Sequence, residues 1–379
     1  MTASRETPQR INRLAPLAEV LVRIDSITRP VAPREVETAA AAARVLAADV
    51  VVTAAVPMAS IALRDGWAVR SDLVSDAGPY APQVLEPAPP WVEAGSPLPP
   101  NTDAVIAPDT VTLRGGVAQC IAGAAPGEGV LAAGADAEPS RALRHAGERL
   151  RAIDLAILRA AGVPRVTVRE PCLRLVCANA MIDAVDDWVA PLLARAIEAD
   201  GGVAEIRRVE LEGIRSLERA LLDGGADAIV AIGGTGAGRH DGSVAALARI
   251  GKLEIHGIGL VPGETSALGI AAARPVLLVP GRLDAALSAW LVLGRRLLAR
   301  LAGVAVAETA MKMTLARKIA SAVGLAEVVP VRRCDGGVEP VAAGYFPLRA
   351  MARADGYVLV AAESEGVPAG AIVEVRPLP

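Results

Sequence analysis

Apolar and polar residues follow different periods along this chain, and each period predicts a different kind of structure. Helical spacing over residues 14–27 and 37–46, the second rich in alanine, predicts two helices. Over residues 51–146 short β-type runs alternate with many prolines and glycines, which predicts a small β domain inserted into the helical region. A helix is predicted again over residues 151–161, followed by a strand over residues 165–169.

The central part of the chain alternates apolar runs with amphipathic segments. This rhythm predicts right-handed βαβ units, and hence a mostly parallel, doubly wound sheet with helices on both faces. The predicted strands cover residues 173–178, 203–209, 227–232 and 275–279, and the predicted helices cover residues 184–199, 213–223, 241–249 and 283–302.

Beyond residue 305 the helical period fades, and short strands predict a terminal β-barrel or sandwich. The 379 residues are too many for one compact core, so the chain is predicted to be a multidomain α/β plus β protein. The predicted domains are a helical domain over residues 1–50 and 147–170, an inserted β domain over 51–146, an α/β domain over 171–305 and a C-terminal β domain over 306–379.

The most distinctive segment is ADAIVAIGGTGAGRHDGS, residues 226–243, in which an apolar run ends in a glycine-rich turn. A strand over residues 228–232 would place the turn at its carboxyl end, where open α/β sheets bind ligands and where main-chain N–H groups can converge on an anion. The turn is neither GxGxxG nor a P-loop, so tight turning and packing is an equal alternative. The turn contains Gly233, Gly234, Gly236 and Gly238.

Composition narrows the classes of partner. Aromatic residues make up 2% of the chain, and 39 basic against 42 acidic residues give a net charge of -3, so a nucleic-acid surface is not expected. Charged residues interrupt the apolar runs before they reach the roughly 18 to 20 residues that span a bilayer. The first 13 residues contain no apolar segment of the kind found in leaders, so a cytoplasmic protein without membrane contact is expected.

Several local motifs carry a family resemblance. SIALRDGWAVR (residues 60–70), AGSPLPPNTDAVI (94–106) and Gly134-Ala135-Asp136 resemble N-terminal signatures of the molybdenum insertases, the family that includes the C-terminal part of gephyrin. DAIVAIGGTGAGRHD, VPGETSALG and VPGRLDAALS resemble motifs of its α/β domain, and ARADGYVLVAAESEGVPAGAIVEV resembles its last domain. The motifs follow the family order from about residue 14 to 378.

The resemblance implies an elongated homodimer of four-domain subunits. It further implies that the α/β domain binds molybdopterin and its adenylylated form. Molybdenum from molybdate would be inserted at the pterin dithiolene while the adenylyl group is cleaved, with Mg²⁺ assisting. Other cofactor-biosynthesis proteins or a molybdoenzyme are the protein partners that such a role suggests.

The resemblance assigns candidate roles to individual residues. Asp65, Asp136 and Asp241 match catalytic positions, and Asp136 and Asp241 are also the candidate Mg²⁺ ligands. For Asp241 an N-cap of the following helix is an alternative, and for Asp65 and Asp103 a turn role is equally favoured. Asp227 could equally cap its strand or end the preceding turn. The candidate cofactor-binding residues are Gly233, Gly234, Gly236, Gly238, Pro262, Gly263, Pro280, Gly281 and Arg282.

Departures from the family pattern fall at chemically demanding positions. Ala180 and Met181 replace an acidic pair, and Asp183, Asp186 or Asp187 could substitute. Glu264 replaces a lysine; within about 4 Å of a phosphate its charge would cost a few kcal/mol at an effective dielectric near 20. Further replacements are Gly257 and Val261 for lysines, Leu283 for a proline, Gly236 for a serine and Ala94 for a threonine.

Arg239, His240 and Arg282 are cationic or titratable groups beside the same loops, and they either restore positive potential or are solvated. Two functions follow. The first is an enzyme that transfers molybdenum from molybdate to adenylylated molybdopterin. The alternative is a catalytically impaired paralogue that binds molybdopterin as a carrier, scaffold or regulator.

Overall fold

A computed structural model describes residues 9–114, 117–178, 188–209, 214–238, 241–305 and 310–379. The chain forms helical, β and α/β regions in the order expected from the sequence, and the α/β region contains the largest apolar core. In the described part of the chain no helix combines the length and the apolar character that crossing a bilayer requires.

The N-terminal region contains less helix than predicted. The helix Leu17–Ile27 forms, and it buries Leu17, Val20 and Ile24 in the core of the α/β region. The other described elements are the strands Arg34–Glu37, Val45–Leu46 and Arg165–Arg169, the 3-10 turn Thr38–Ala40 and the helix Ala152–Ala160.

The predicted helix over residues 37–46 is wrong. Arg34–Glu37 and Val45–Leu46 instead pair antiparallel with the two edges of Arg165–Arg169. Alanine-rich helix propensity is worth less than about 1 kcal/mol per residue, and burial of Leu46 with its neighbours in a sheet exceeds it. The positive φ of 61° at Ala43 lies outside any right-handed helix.

The inserted region consists of small antiparallel sheets, as predicted. Its longest element pairs run between Gly66–Val69 and Ala104–Ile106 and between Val111–Arg114 and Val117–Cys120. The remaining elements are the strands Val50–Val51, Ile61–Ala62, Gln83–Leu85, Trp91–Val92, Val130–Leu131 and Ala142–Arg144, the helix Ser71–Val74 and the 3-10 turn Pro108–Thr110.

The α/β region is built on a six-stranded sheet. Four parallel strands, in the spatial order Val203–Arg208, Cys172–Cys177, Ala228–Ile232 and Arg274–Val279, confirm the predicted parallel core. Two antiparallel strands that were not predicted extend one edge: Ala267–Ala271 and Lys252–His256.

Helices cover both faces of this sheet, as predicted for a doubly wound fold. One face packs against Val189–Ala199 and the segment 283–301, and the other against Ile214–Leu222 and Ser243–Ile250. The single helix predicted over residues 283–302 is divided by a π-helical turn into Leu283–Ala289, Trp290–Gly294 and Arg295–Leu301.

The C-terminal region is rich in β structure, as predicted. The strand Leu260–Val261 of the α/β region pairs in parallel with the start of Ala326–Cys334, which joins the two regions. The other described elements of the C-terminal region are the strands Met311–Thr314, Ile319–Ala320, Gly337–Pro340, Gly356–Val360, Gly366–Val367 and Ile372–Pro377 and the helix Leu348–Met351.

Candidate functional site

The parallel strands create a crevice at the edge where their carboxyl ends meet. Cys172–Cys177 is first in the chain order of the sheet, yet its neighbours are Val203–Arg208 on one side and Ala228–Ile232 on the other. Connections therefore leave in opposite directions from the two adjacent strands Cys172–Cys177 and Ala228–Ile232, which is the switch point where such sheets bind ligands. Residues 233–238, here called the glycine loop, follow directly on Ala228–Ile232.

Main-chain contacts fix the start of the glycine loop. Gly233 and Gly234 have φ values of 90° and 69°, which favour glycine. The Gly233 N–H donates to Val279 O at 2.9 Å, and the Ser243 hydroxyl donates to Gly233 O at 2.7 Å. A Cβ at Gly281 would lie 3.4 Å from the Gly233 Cα, so the glycine loop packs closely against the turn formed by Pro280 and Gly281.

The amides in the middle of the glycine loop differ from those at its two ends, which are hydrogen-bonded within the protein. Within the described part of the chain, the N–H groups of Thr235, Gly236 and Ala237 form no hydrogen bond. Three successive unbonded N–H groups at the end of a buried strand can bind an anion. This geometry favours the ligand-binding interpretation of the loop.

Asp241 closes the other end of the loop. Its Oδ2 accepts the Gly238 N–H at 2.8 Å. A Cβ at Gly236 would lie 2.8 Å from that oxygen, and one at Gly238 would lie 3.0 Å from it. The N-cap interpretation of Asp241 is wrong, because the helix begins at Ser243 with Gly242 at its N-cap.

The side chain of Gln9, which is far away in the sequence, forms hydrogen bonds with the same loop. Its amide nitrogen donates to Gly234 O at 3.0 Å and to Gly236 O at 2.9 Å, and its Oε1 accepts the Ala245 N–H at 2.8 Å. In a trans peptide the N–H points opposite to the C=O. Gln9 therefore contacts the carbonyl side of the loop, and the N–H groups of Thr235 and Ala237 point away from it.

The N-terminal segment that contains Gln9 also explains why position 257 is a glycine and not the lysine of the family pattern. Ala15 bridges Ile258 in parallel, so residues preceding the first helix run beside Gly257. A Cβ at Gly257 would lie 2.4 Å from Ile11 Cγ2 and 3.0 Å from Arg13 O. A lysine at this position is incompatible with the observed packing.

The turn at residues 262–266 contains Glu264, whose charge is opposite to that of the lysine in the family pattern. It follows a cis Val261-Pro262 bond, and Glu264 is half-buried with its Oε2 accepting the Gly263 N–H at 2.9 Å. The Thr265 and Thr235 hydroxyls lie 2.9 Å apart, which ties this turn to the glycine loop. The Glu264 carboxylate thus occupies an amide that the family resemblance assigns to the cofactor.

Arg282 lies beside the glycine loop, and Asp284 partly neutralises its positive charge. Its Nε donates to Asp284 Oδ1 at 2.6 Å, and its guanidinium carbon lies 5.4 Å from the centre of the Tyr345 ring. Asp284 is 2% exposed and also accepts N–H groups from Ala285 and, across the domain junction, from Phe346. The Arg282 side chain remains 60% exposed, so it can reach a ligand.

The structure separates the three candidate aspartates. Asp65 lies in the inserted β region, where it accepts the Ala94 N–H at 2.8 Å, a contact that joins two segments 29 residues apart. Asp136 is exposed in that region and its N–H donates to Val56 O. Neither shares an element with Asp241, and no group of three His, Cys, Asp or Glu able to hold a metal occurs among the described residues.

Two further aspartates have structural partners. Asp103 accepts the Ser71 N–H and hydroxyl, both at 2.7 Å, and Asp227 accepts the Cys172 N–H at 2.7 Å. Asp103 therefore ties its loop to the start of the helix Ser71–Val74, which is not a local turn role, and Asp227 caps the start of the neighbouring strand Cys172–Cys177 rather than of its own. Seven residues considered in the sequence lie outside the described residues: Ala180, Met181, Asp183, Asp186, Asp187, Arg239 and His240.

Sequence reasoning missed Gln9, His256, Thr265 and Asp284 as neighbours of the site. His256 Nε2 lies 3.1 Å from Thr235 O, and Thr265 contacts the loop through its hydroxyl. Asp284 follows Arg282 by two residues, a spacing that could have indicated an ion pair. Gln9 is 225 residues from Gly234, and no local signal points to that contact.

A parallel sheet with a glycine loop at its switch point, flanked by β regions, defines a doubly wound α/β ligand-binding protein with additional β domains. Three family models match consecutive parts of the chain: the MoeA N-terminal region (domain I and II) over residues 15–162, the molybdopterin binding domain over 177–300, and the MoeA C-terminal region (domain IV) over 312–378. The chain belongs to the MoeA-like molybdenum insertase family, and its role is in molybdenum cofactor biosynthesis.

Individual relatives agree with this assignment. A protein of Methanocaldococcus jannaschii whose name assigns it to molybdopterin biosynthesis is 22% identical over 375 residues, covering 90% of this chain and 91% of that protein. The crystal structure of the molybdopterin biosynthesis MoeA protein from Pyrococcus horikoshii is similar with a TM-score of 0.75 and 25% identity, covering 97% of this chain and 100% of that one. A molybdenum cofactor biosynthesis protein from Pyrococcus furiosus shares the fold, with a TM-score of 0.63, 19% identity and coverage of 96% and 100%.

Proposed function

We propose that this chain catalyses molybdenum insertion, the transfer of molybdenum from molybdate to adenylylated molybdopterin. The observation that carries the proposal is that the N–H groups of Thr235, Gly236 and Ala237 form no hydrogen bond with any described residue, in the part of the chain that matches the molybdopterin binding domain. Fixed main-chain donors stabilise negative charge without reorganising. The phosphate groups of the pterin are the anionic part of the substrate that these donors fit.

Other residues of the site have assigned roles in this proposal. Arg282 supplies a cation beside the loop, and the turns at Pro280-Gly281 and Pro262-Gly263 line the crevice. Asp241 holds the shape of the loop through Gly238, and its Oδ1, which has no hydrogen-bond partner among the described residues, would contact the substrate. Asp65 and Asp136 would act only if another part of the assembly brought them to the crevice.

Mg²⁺ does not fit the described residues as a complete site. Mg²⁺ prefers several oxygen ligands in octahedral geometry, whereas Asp241 is a single carboxylate already engaged by an amide. No step is therefore assigned to the metal. Mg²⁺, the homodimer, contacts with other proteins and a cytoplasmic location remain predictions.

The proposal is tested by supplying the full-length protein with adenylylated molybdopterin and molybdate. The expected result is molybdate-dependent formation of active cofactor, measured by reconstitution of a molybdenum-free molybdoenzyme. Pterin binding without any turnover, with and without added Mg²⁺, would contradict transfer and leave a carrier function.

A substitution in the glycine loop connects this activity to the amides. Gly234→Ala would place a Cβ 2.5 Å from the buried Ser243 Oγ and 3.3 Å from its main-chain nitrogen, at a φ of 69° that favours glycine, so the loop must shift and we expect roughly a tenfold or greater loss of pterin affinity. Gly224→Ala is the matched control, because a Cβ there meets no atom within 4 Å. Equal affinities in the two variants would contradict a role for the loop.

A further inference from the structure

The C-terminal region contains a concentration of arginines that the proposed function does not use. A recess of about 200 Å³ is lined by four arginines, at positions 317, 332, 349 and 353, together with Glu339, Pro340, Val341 and Ala350. Glu339 is the only carboxylate among these lining residues. The recess therefore has an excess of positive charge although the chain as a whole has a net charge of -3.

Pairing with Glu339 holds two of the guanidinium groups in place. Arg332 and Glu339 face each other across an antiparallel strand pair, with Arg332 Nη2 2.5 Å from Glu339 Oε1. Arg317 Nε lies 3.1 Å from Glu339 Oε2, and its Nη2 donates to Pro340 O at 2.6 Å. One half-buried carboxylate thus positions two cations on one wall of the recess.

The other two arginines have no such partner. Arg349 lies on the helix Leu348–Met351 and Arg353 follows it by four residues. Within the described residues neither guanidinium forms an ion pair or a hydrogen bond, and both side chains belong to exposed residues. Repulsion between these neighbouring positive charges is reduced when an anion binds between them.

A second hollow continues from the same place. It has a volume of about 710 Å³ and shares Arg317 and Pro340 with the recess. Its other lining residues are Ala316, Lys318, Pro368 and Ala369, so most of its wall is apolar. The arginine recess and the apolar hollow together form one cleft with a basic end and an apolar end.

We propose that this cleft binds a small phosphomonoester that carries an uncharged, apolar group. Arginine matches phosphate because its planar guanidinium donates two parallel hydrogen bonds to two oxygens. Arg349 and Arg353 contact the phosphate, Arg317 and Arg332 complete the basic wall, and the apolar group occupies the hollow beyond Pro340. The basic end is small, about 200 Å³, and fits a single phosphate better than an extended acidic peptide.

Calorimetric titration of the full-length protein tests this site, with phenyl phosphate, inorganic phosphate and phenol as probes at one ionic strength. Phenyl phosphate is expected to bind, inorganic phosphate to bind more weakly, and phenol not to bind. The double variant R349Q/R353Q should weaken phenyl phosphate binding by about tenfold or more. The control K312Q/R333Q removes two positive charges from the same region outside the cleft and should stay within about twofold.

A further variant and a further probe complete the design. Ala316→Trp fills the hollow and should remove the advantage of phenyl phosphate over inorganic phosphate without weakening phosphate itself. Equal losses in R349Q/R353Q and K312Q/R333Q, or no binding of phenyl phosphate to the unchanged protein, would overturn the proposal. Tighter binding of hexaglutamate than of phenyl phosphate would also overturn it and assign the surface to an acidic protein segment.

Discussion

Replacing Glu264 by lysine changes the charge at the candidate site by two units. Glu264 is half-buried, and its carboxylate accepts the Gly263 N–H at 2.9 Å. The hydroxyl of the next residue, Thr265, lies 2.9 Å from the Thr235 hydroxyl, so the Glu264 carboxylate lies close to the glycine loop that is proposed to bind the phosphate. The substitution frees one amide and replaces a negative by a positive charge.

The expected gain follows from Coulomb's law. For a phosphate about 7 Å from the side-chain charge, one unit of charge is worth about 0.6 kcal/mol at the dielectric constant of water and about 2.4 kcal/mol at an effective value of 20. The change of two units is therefore worth about 1.2 to 5 kcal/mol. We expect the Kd for molybdopterin to fall by about eightfold or more.

The measurement is a titration of the purified protein with molybdopterin at low and high salt. Glu264→Gln removes the negative charge alone and should give about half of the gain in free energy. Glu138→Lys, on the exposed surface of the inserted β region, changes the net charge equally and should have little effect. Unchanged or weaker binding by Glu264→Lys would refute the reasoning and indicate a crevice shaped for a different ligand.

Three further substitutions test other features. Gln9→Ala removes two hydrogen bonds to the glycine loop and one to Ala245, so molybdopterin affinity should fall about three- to tenfold by titration. The control Gln119→Ala should be unchanged, and tighter binding by Gln9→Ala would contradict an orienting role. Gly294→Ala places a Cβ 2.1 Å from the Trp290 ring, so the apparent Tm should fall by several degrees, about 1 to 3 kcal/mol, relative to Gly224→Ala; an unchanged Tm would contradict this packing. Hydrogen bonds from Arg151 lower the pKa of the buried Asp154 carboxyl, so the stability that this carboxylate contributes is complete above the unfolded pKa of about 3.9 and is lost as the pH falls through the lower folded value. Asp154→Asn should therefore reduce the free energy of unfolding by about 1 to 3 kcal/mol at pH 7, measured by urea unfolding, and should flatten the loss of stability in acid. Parallel pH profiles of the variant and the unchanged protein would contradict this origin.

Much of the fold could be predicted because local pattern and tertiary packing agree. The apolar run at Ala228–Ile232 is buried at every position, and the following glycines adopt the backbone that their lack of a Cβ allows. Residues 37–46 show where this agreement ends: their alanines favour a helix locally, but pairing with Arg165–Arg169 decides the outcome. The short strand Ala267–Ala271, which pairs with Arg274–Val279 and with Lys252–His256, has a glycine at its centre and no strong β period, which explains why it was not predicted.

The candidate site was predictable only in part, since its main-chain elements are local and its side-chain partners are not. The glycine loop and both proline turns lie where their motifs indicated. The contacts of Gln9 with Gly234 and of Thr265 with Thr235 join segments far apart in the sequence, so periodicity contains no information about them. The conformation of Glu264, folded onto its neighbouring amide, likewise depends on atomic geometry.

The contact between Asp284 and the C-terminal region has a consequence for how sequences of this kind can vary. Asp284 Oδ2 accepts a main-chain N–H from Phe346 at 3.2 Å, while Oδ1 orients Arg282. Because the donor belongs to the backbone, the hydrogen bond itself does not depend on the side chain at position 346, which is instead constrained by burial of the Phe346 ring in the main apolar core. On the other side of the junction the bond depends on one carboxylate, whose loss would release both the arginine and the neighbouring region.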